Sequence, residues 1–266
     1  ALGSWLAARA AGGRWLVRIE DLDRPRCVPG MDAVILRQLA NHGLEWDGDV
    51  LVQSARDAAY GDALTTLKQA GLVYPCACTR SELADALRNA DHEIVYPGTC
   101  RAGLAPGRAA RAWRFLVGDA VVGFDDAVCG RVEQNLAREV GDFVVKRADG
   151  LYAYQLAVVV DDAHQGVSHV VRGADLLGNT PRQIALQGAL RLPTPAYAHL
   201  PLVTNAAGQK LSKQTRAPAL PDVQPERALA AALGALGLAP PAAGGVRELL
   251  DWALAQWSLP RVPCRP

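Results

Sequence analysis

The sequence predicts an α/β protein built on a layered, largely parallel sheet. Three observations point there. Helical and extended patterns alternate through residues 1–73. The run "LAVVVDD" at residues 156–162 is nearly continuous β-branched sequence, as expected of a parallel strand covered on both faces. With 266 residues, 50% of them hydrophobic, the chain can bury a substantial core.

The elements follow in order. Residues 1–11 open in helical register, with Leu2, Trp5, Leu6 and Arg9 at helix spacings, and Gly12-Gly13 ends the helix. "RWLVRIED" reads as a short buried strand that runs into acids. "MDAVILRQLANHGLEWD" is a second helix, and "SARDAAYGDALTTLKQAG" a third that stops at Gly71. From Tyr74 the texture changes. "YPCACTRSELADALRNA" brings Pro and cysteines, then a helix start in which Thr79 and Glu82 form a capping box. A Gly/Pro/Arg-rich stretch follows, then short extended bursts, "WRFLV", "AVVGFDD" and "GDFVVKR". In "YQLAVVVDDAHQGVSHVVRGADLL" long apolar strands return, Tyr154 beginning one and Arg172 ending the next. Carboxylates at a strand's carboxyl end stand where open α/β sheets place ligands. "TPRQIALQGALRL" is a helix with Pro181 near its start. "PERALAAALGALGLA" and "VRELLDWALAQWS" supply two C-terminal helices. The divisions are a first part of the core at 1–73, an insertion at 74–150, a second part of the core at 151–200, and a lysine loop with a helical region at 201–266.

Composition narrows the function. The net charge is +1, so no global field draws the chain to nucleic acid or membrane, and RNA contact must come from a local patch. No apolar run approaches the ~18 residues of a membrane span, and a cytoplasmic protein is expected. Six cysteines do not make a disulfide framework. Cys27, Cys129 and Cys264 are scattered and read as packing or surface thiols.

Four constellations carry chemistry. "GQKLSKQ" places Lys210 and Lys213 around Ser212 in a glycine-led loop, which suits a polyphosphate or a solvated basic turn. "RIEDLDRPR" sets Glu20, Asp21 and Asp23 between Arg18 and Arg24, where a carboxylate can hold an ammonium group or join a salt-bridged junction. Tyr154 and Arg172 can bind a carboxylate together, unless Arg172 pairs internally with Asp175 or Asp162. Cys76, Cys78 and Cys100 can converge on zinc, with Tyr96 or His92 as fourth ligand; by chemistry alone His92 is the commoner type. Arg101, Arg108, Arg111 and Arg114 form a basic stretch that can meet phosphates or simply face solvent.

In this order "RIEDLDRPR", "QSARDAAY", "YPCAC", "YQLAVVVDD", "VVRGADLLGNTPRQ" and "KLSKQ" resemble the catalytic core of class I glutamyl-tRNA synthetases over residues 1 to about 216. The short C-terminal part and the "CAC…YPGTC" arrangement are similar to the short paralogues that glutamylate queuosine in tRNA(Asp). The resemblance implies a class I aminoacyl-tRNA synthetase Rossmann-like core with a zinc-containing insertion and a small helical C-terminal part. It implies an ATP-dependent ligase that activates L-glutamate with ATP and Mg²⁺ and esterifies the queuosine of tRNA(Asp), acting as a monomer. Glu20, Tyr154 and Arg172 would bind glutamate, Lys210 and Lys213 would serve catalysis, Lys213 contacting ATP, and Cys76, Cys78, Tyr96 and Cys100 would hold structural zinc. The alternatives are a fragment of an ordinary glutamyl-tRNA synthetase, or an inactive zinc-stabilised RNA-binding module. Members of that family begin with a strand and a His-Ile-Gly-His-like motif, whereas this sequence opens inside the helix that follows. Weak ATP binding is therefore expected of residues 1–266 alone.

Overall fold

The computed structural model describes residues 1–89, 92–204, 220 and 223–264. The first part contains α1 (Leu2–Ala10), β1 (Arg18–Ile19), α2 (Met31–Asn41), β2 (Leu51–Val52) and α3 (Asp57–Gln69). Next come β3 (Val73–Cys76), β4 (Ala112–Phe115), β5 (Val121–Asp126), β6 (Gly130–Asn135), α4 (Leu136–Glu139) and β7 (Phe143–Lys146). The chain continues through α5 (Tyr154–Gln165), β8 (His169–Gly173), α6 (Thr180–Leu190), β9 (Ala196–Leu200), α7 (Pro225–Ala235) and α8 (Val246–Gln256).

Three sheets organise these elements among the described residues. β1 pairs with β2 in parallel, and β3, β4 and β7 form an antiparallel sheet. The third sheet has the order β6-β5-β9-β8, with β8 and β9 parallel from His169↔Ala196 to Gly173↔Leu200. β5 joins it in parallel at Asp126↔Tyr197. Thus "AVVGFDD", which the sequence places in the insertion, is stitched to a core strand. One apolar cluster gathers Leu2, Trp5 and Leu6 of α1 with Leu229 and Leu233 of α7 and Leu249 and Leu250 of α8. A second lies between α3, α5, α6 and the β3-β4-β7 sheet.

Two expectations need correction. "YQLAVVVDD" is not a strand but the body of α5. Gln155, Leu156, Ala157, Val158, Val159, Asp161 and Asp162 are all buried, so the apolar run shows no polar face from which a helical period could be read. Gly166, at φ 65°, closes the helix in the left-handed conformation that favours glycine. The capping box exists, with Thr79 N–H donating to Glu82 Oε2 at 2.7 Å and Glu82 N–H to Thr79 Oγ1 at 3.3 Å. It heads only the 3₁₀ turn Ser81–Leu83. Leu83 is buried but Leu87 is 80% exposed, so a longer helix would have no apolar face to bury.

α5 is fixed by its acids. Asp161 is fully buried and accepts hydrogen bonds from Gln53 Nε2 at 2.8 Å, Arg56 Nε at 2.6 Å and Tyr60 Oη at 2.7 Å. These partners come from the turn before α3 and from α3 itself. Burial, then the hydrogen bond to Asp161, pushes the Tyr60 phenol far up. Replacing Asp161 by Ala strands the Arg56 cation and the Tyr60 hydroxyl, so unfolding in urea should show a loss of about 3–5 kcal/mol. A loss below about 1 kcal/mol would mean that the carboxylate does not join α3 to α5.

Candidate active site

Arg172 closes β8 and Tyr154 opens α5, and the fold brings them together: Arg172 Nη1 donates to Tyr154 Oη at 3.3 Å. Arg172 also donates from Nη2 to Thr180 Oγ1 and Gln183 Oε1, both at 2.8 Å, and from Nε to His199 Nε2 at 3.1 Å. All four acceptors are uncharged, so these bonds orient the guanidinium without cancelling its charge. Gln183 is itself held, donating to Gln155 Oε1 at 3.0 Å. Burial raises the Tyr154 phenol, so it stays protonated and can donate.

Asp162, one sequence alternative as partner of Arg172, belongs to Arg18 instead: its Oδ1 lies 2.9 Å from Arg18 Nη1. Arg18 also donates from Nε to Glu20 Oε1 at 3.2 Å and from Nη1 to Gln165 Oε1 at 2.9 Å. The end of β1 is thereby pinned to the end of α5. Burial raises Glu20, opposed by the Arg18 charge; burial likewise raises Asp162, opposed by Arg18 and then by Arg172. The Arg172 charge lowers Tyr154 and that of Glu20 raises it, so the three side chains share one electrostatic neighbourhood. Glu20 and Asp21 line a cavity of about 1070 Å³ bounded also by Trp15, Arg18, Met31 and Ile35. Tyr154 and Arg172 are not in its lining. Asp21 and Asp23 have other duties: Asp21 Oδ1 accepts from Ser54 N–H at 2.8 Å, and Asp23 pairs with Arg26 and Arg147.

The thiols of Cys76, Cys78 and Cys100 lie within 4.8 Å of one another. Tyr96 Oη is 3.5 Å from both Cys76 Sγ and Cys78 Sγ, and Cys78 and Cys100 Sγ are 3.6 Å apart. Zn–S bonds of about 2.3 Å in a tetrahedron put sulfurs about 3.8 Å apart, so the donors fit zinc with little movement. His92 is not part of the group. Burial raises Cys76, but hydrogen bonds from Tyr96 and Arg114 outweigh it and bring that thiol down to about 7. Gly141, at φ 69°, lets the chain of Tyr96 pass: an added Cβ would lie 2.3 Å from Tyr96 O. Three arginines of the basic stretch are paired, although Arg101 and Arg108 remain exposed and Arg111 also lies at the surface. Arg101 makes two bonds to Asp142 at 2.8 and 2.9 Å, and Arg108 two to Glu82 at 2.6 and 3.0 Å. Arg114 stacks 3.7 Å over the Tyr96 ring.

The model of the family described as tRNA synthetases class I (E and Q), catalytic domain, matches residues 1–224. The chain belongs to that family. It is 63% identical over 269 residues to the glutamyl-Q tRNA(Asp) synthetase of Thiobacillus denitrificans, covering 100% of this chain and 89% of that protein. A protein of the same name from Aromatoleum aromaticum is 56% identical over 99% of this chain and 84% of its own length. The solved glutamate-tRNA synthetase of Elizabethkingia anophelis superposes with a TM-score of 0.79 at 22% identity, over 98% of this chain and 62% of that one. That likeness concerns the fold.

Within this synthetase fold, Lys210 and Lys213 lie outside the described residues. Arg18, Asp126, Thr180, Gln183 and His199 were not singled out as site residues in the sequence. Arg18 stands in the quoted "RIEDLDRPR", while Asp126 and His199 are 73 positions apart with no local signal joining them.

Two outcomes test this geometry. Glu20 is raised when folded, so the native state binds its proton more tightly than the unfolded chain does. The charged form therefore costs stability above the raised pKa, and that cost disappears below the ordinary value. Glu20→Gln should then melt no lower than the parent at pH 7, with any gain fading as pH falls through the carboxylate range. A lower melting point at pH 7 would contradict the sign. The purified protein should also hold one zinc per chain by metal analysis. Cys76→Ser should lose most of it and melt several degrees lower, and unchanged zinc content would exclude that thiol as a ligand.

Proposed function

We propose that this chain activates L-glutamate with ATP and transfers the glutamyl group to the queuosine base in the anticodon of tRNA(Asp). The observation that carries the reading is Arg172 held against Tyr154, with its charge left uncancelled by its four neutral acceptors, while Arg18 braces Glu20. Likeness along the whole of this chain to proteins named glutamyl-Q tRNA(Asp) synthetase supports the choice of substrates.

Glu20 takes the ammonium group of glutamate. Arg172 and the Tyr154 hydroxyl take the side-chain carboxylate, because the α-carboxylate must stay free to react. Its oxygen attacks the α-phosphorus of ATP, pyrophosphate leaves, and a glutamyl-adenylate results. A queuosine hydroxyl then attacks the mixed anhydride carbonyl, forming the ester and releasing AMP. The protein's part in the first step is alignment and neutralisation of spreading phosphate charge, the neutralisation being assigned to Lys210 and Lys213. Mg²⁺ bound through the phosphates would add to that neutralisation. Zinc on Cys76, Cys78, Tyr96 and Cys100 would be structural, since four protein ligands leave no open position.

The test incubates the protein with labelled glutamate, tRNA and ATP raised to saturation, since weak ATP binding is expected. Glutamate-dependent pyrophosphate exchange without tRNA is expected, followed by alkali-labile label in the anticodon of queuosine-containing tRNA(Asp). Label on the 3′ adenosine of tRNA(Glu) would instead favour an ordinary glutamyl-tRNA synthetase. Absence of exchange together with retained tRNA binding would favour a non-catalytic RNA-binding role.

A further inference from the structure

Behind Arg172 lies a buried pair that the glutamate reading does not use. His199, on β9, is fully buried, and its Nδ1 lies 2.6 Å from Asp126 Oδ2 at the end of β5. Asp126 also accepts at Oδ1 from the backbone N–H groups of Val128 at 3.0 Å, Cys129 at 2.8 Å and His199 at 3.1 Å. Burial opposes its ionisation, but these bonds and the one from the His199 ring hold its carboxyl below the usual carboxylate range. A fixed carboxylate facing Nδ1 keeps the proton on that nitrogen. Nε2 then carries a lone pair; the Nε–H of Arg172 points at it from 3.1 Å, and the Thr180 hydroxyl, which accepts from Arg172 Nη2, lies 3.2 Å from it. Protonating the ring would set two N–H groups against each other beside a guanidinium; burial and the Arg172 charge both push His199 down, with Asp126 opposing.

We infer that the Asp126–His199 pair is a positioning device for Arg172, which holds His199 in the Nδ1–H tautomer so that Nε2 accepts from Arg172 Nε. It rests on the reading of Arg172 as the arginine for the glutamate side chain. The consequence for specificity is geometric. His199 occupies Nε, and Thr180 and Gln183 occupy Nη2. The edge turned to the ligand is therefore Nη1 together with the Tyr154 hydroxyl. A carboxylate bridges those two donors. A carboxamide accepts through one oxygen only and must turn its NH₂ toward the second donor. The pair thus helps select a side-chain acid over its amide.

Asp126 is a poor handle for the test because it also anchors the turn after β5 through two backbone N–H groups and β9 through that of His199. His199 is the better one. His199→Asn keeps a group that can donate to Asp126 but removes the Nε2 acceptor; His199→Gln sets an amide oxygen near the Nε2 position. Pyrophosphate exchange is measured with glutamate and ATP varied separately, next to Arg172→Lys and with the melting point of each variant. His199→Asn should raise the KM for glutamate roughly ten- to hundredfold with the KM for ATP little changed, and His199→Gln should recover part of the loss. A purely structural histidine would lower the melting point in both variants without separating the two KM values or showing rescue, and that result would overturn the inference. If Arg172→Lys raises the glutamate KM while folded His199→Asn leaves it unchanged, the inference fails and the glutamate reading stands. If Arg172→Lys leaves it unchanged, the reading itself fails. Independently of folding of the variants, ¹⁵N NMR of the parent at neutral pH should show His199 protonated at Nδ1 alone. An Nε2–H tautomer or an imidazolium would refute the arrangement.

Discussion

Asp161 and Asp162 stand side by side near the end of α5, both buried, and each must find donors. Adjacent helical residues point about 100° apart, so the two carboxylates reach different elements. Asp161 faces the turn before α3 and α3 itself through Gln53, Arg56 and Tyr60. Asp162 faces β1 through Arg18. An unpaired buried charge costs several kcal/mol, so these pairings admit essentially one relative placement of the three elements. The placement puts Glu20, just past β1, in the field of Tyr154 and Arg172.

The site is thereby divided between stabilising and destabilising parts. Asp161 is saturated with donors, whereas burial works against charge on Glu20 and Asp162. In the proposed site a raised carboxylate at Glu20 would favour an incoming ammonium group, because a cationic ligand would relieve part of the cost that folding imposed. The same division recurs around the β3-β4-β7 sheet. Asp142 is wholly buried and collects Arg101, Tyr74 and the Val117 N–H, while three thiols and a phenol are left converging on one point. Arg114 joins the two, donating to the Asp142 carbonyl at 2.7 Å and to Cys76 Sγ at 3.2 Å.

Much of this was legible in the sequence where local chemistry suffices. α1, α2, α3, α6, α7 and α8 carry helical periodicity or terminal Gly and Pro signals, and the structure forms them. Cys76, Cys78 and Cys100 meet through a spacing that itself suggests a metal. α5 was not legible, because burial on nearly every side erases the periodicity that separates a helix from a parallel strand. Its carboxylates, Asp161 and Asp162, read as a strand end when they are in fact internal pairing groups. The arginines at 101, 108 and 114 look outward in sequence, since their partners Asp142 and Glu82 are 41, 26 and 28 positions away. The Asp126–His199 contact spans strands that pair only in three dimensions.

The most direct measurement is a crystal structure with glutamate and a non-hydrolysable ATP analogue bound together. The proposal that β1, α5 and β8 share one amino acid predicts the ammonium group on Glu20, the side-chain carboxylate on Arg172 Nη1 and Tyr154 Oη, and the α-carboxylate facing the nucleotide. Glutamate bound elsewhere, with Glu20 and Arg172 touching no common ligand, would contradict it.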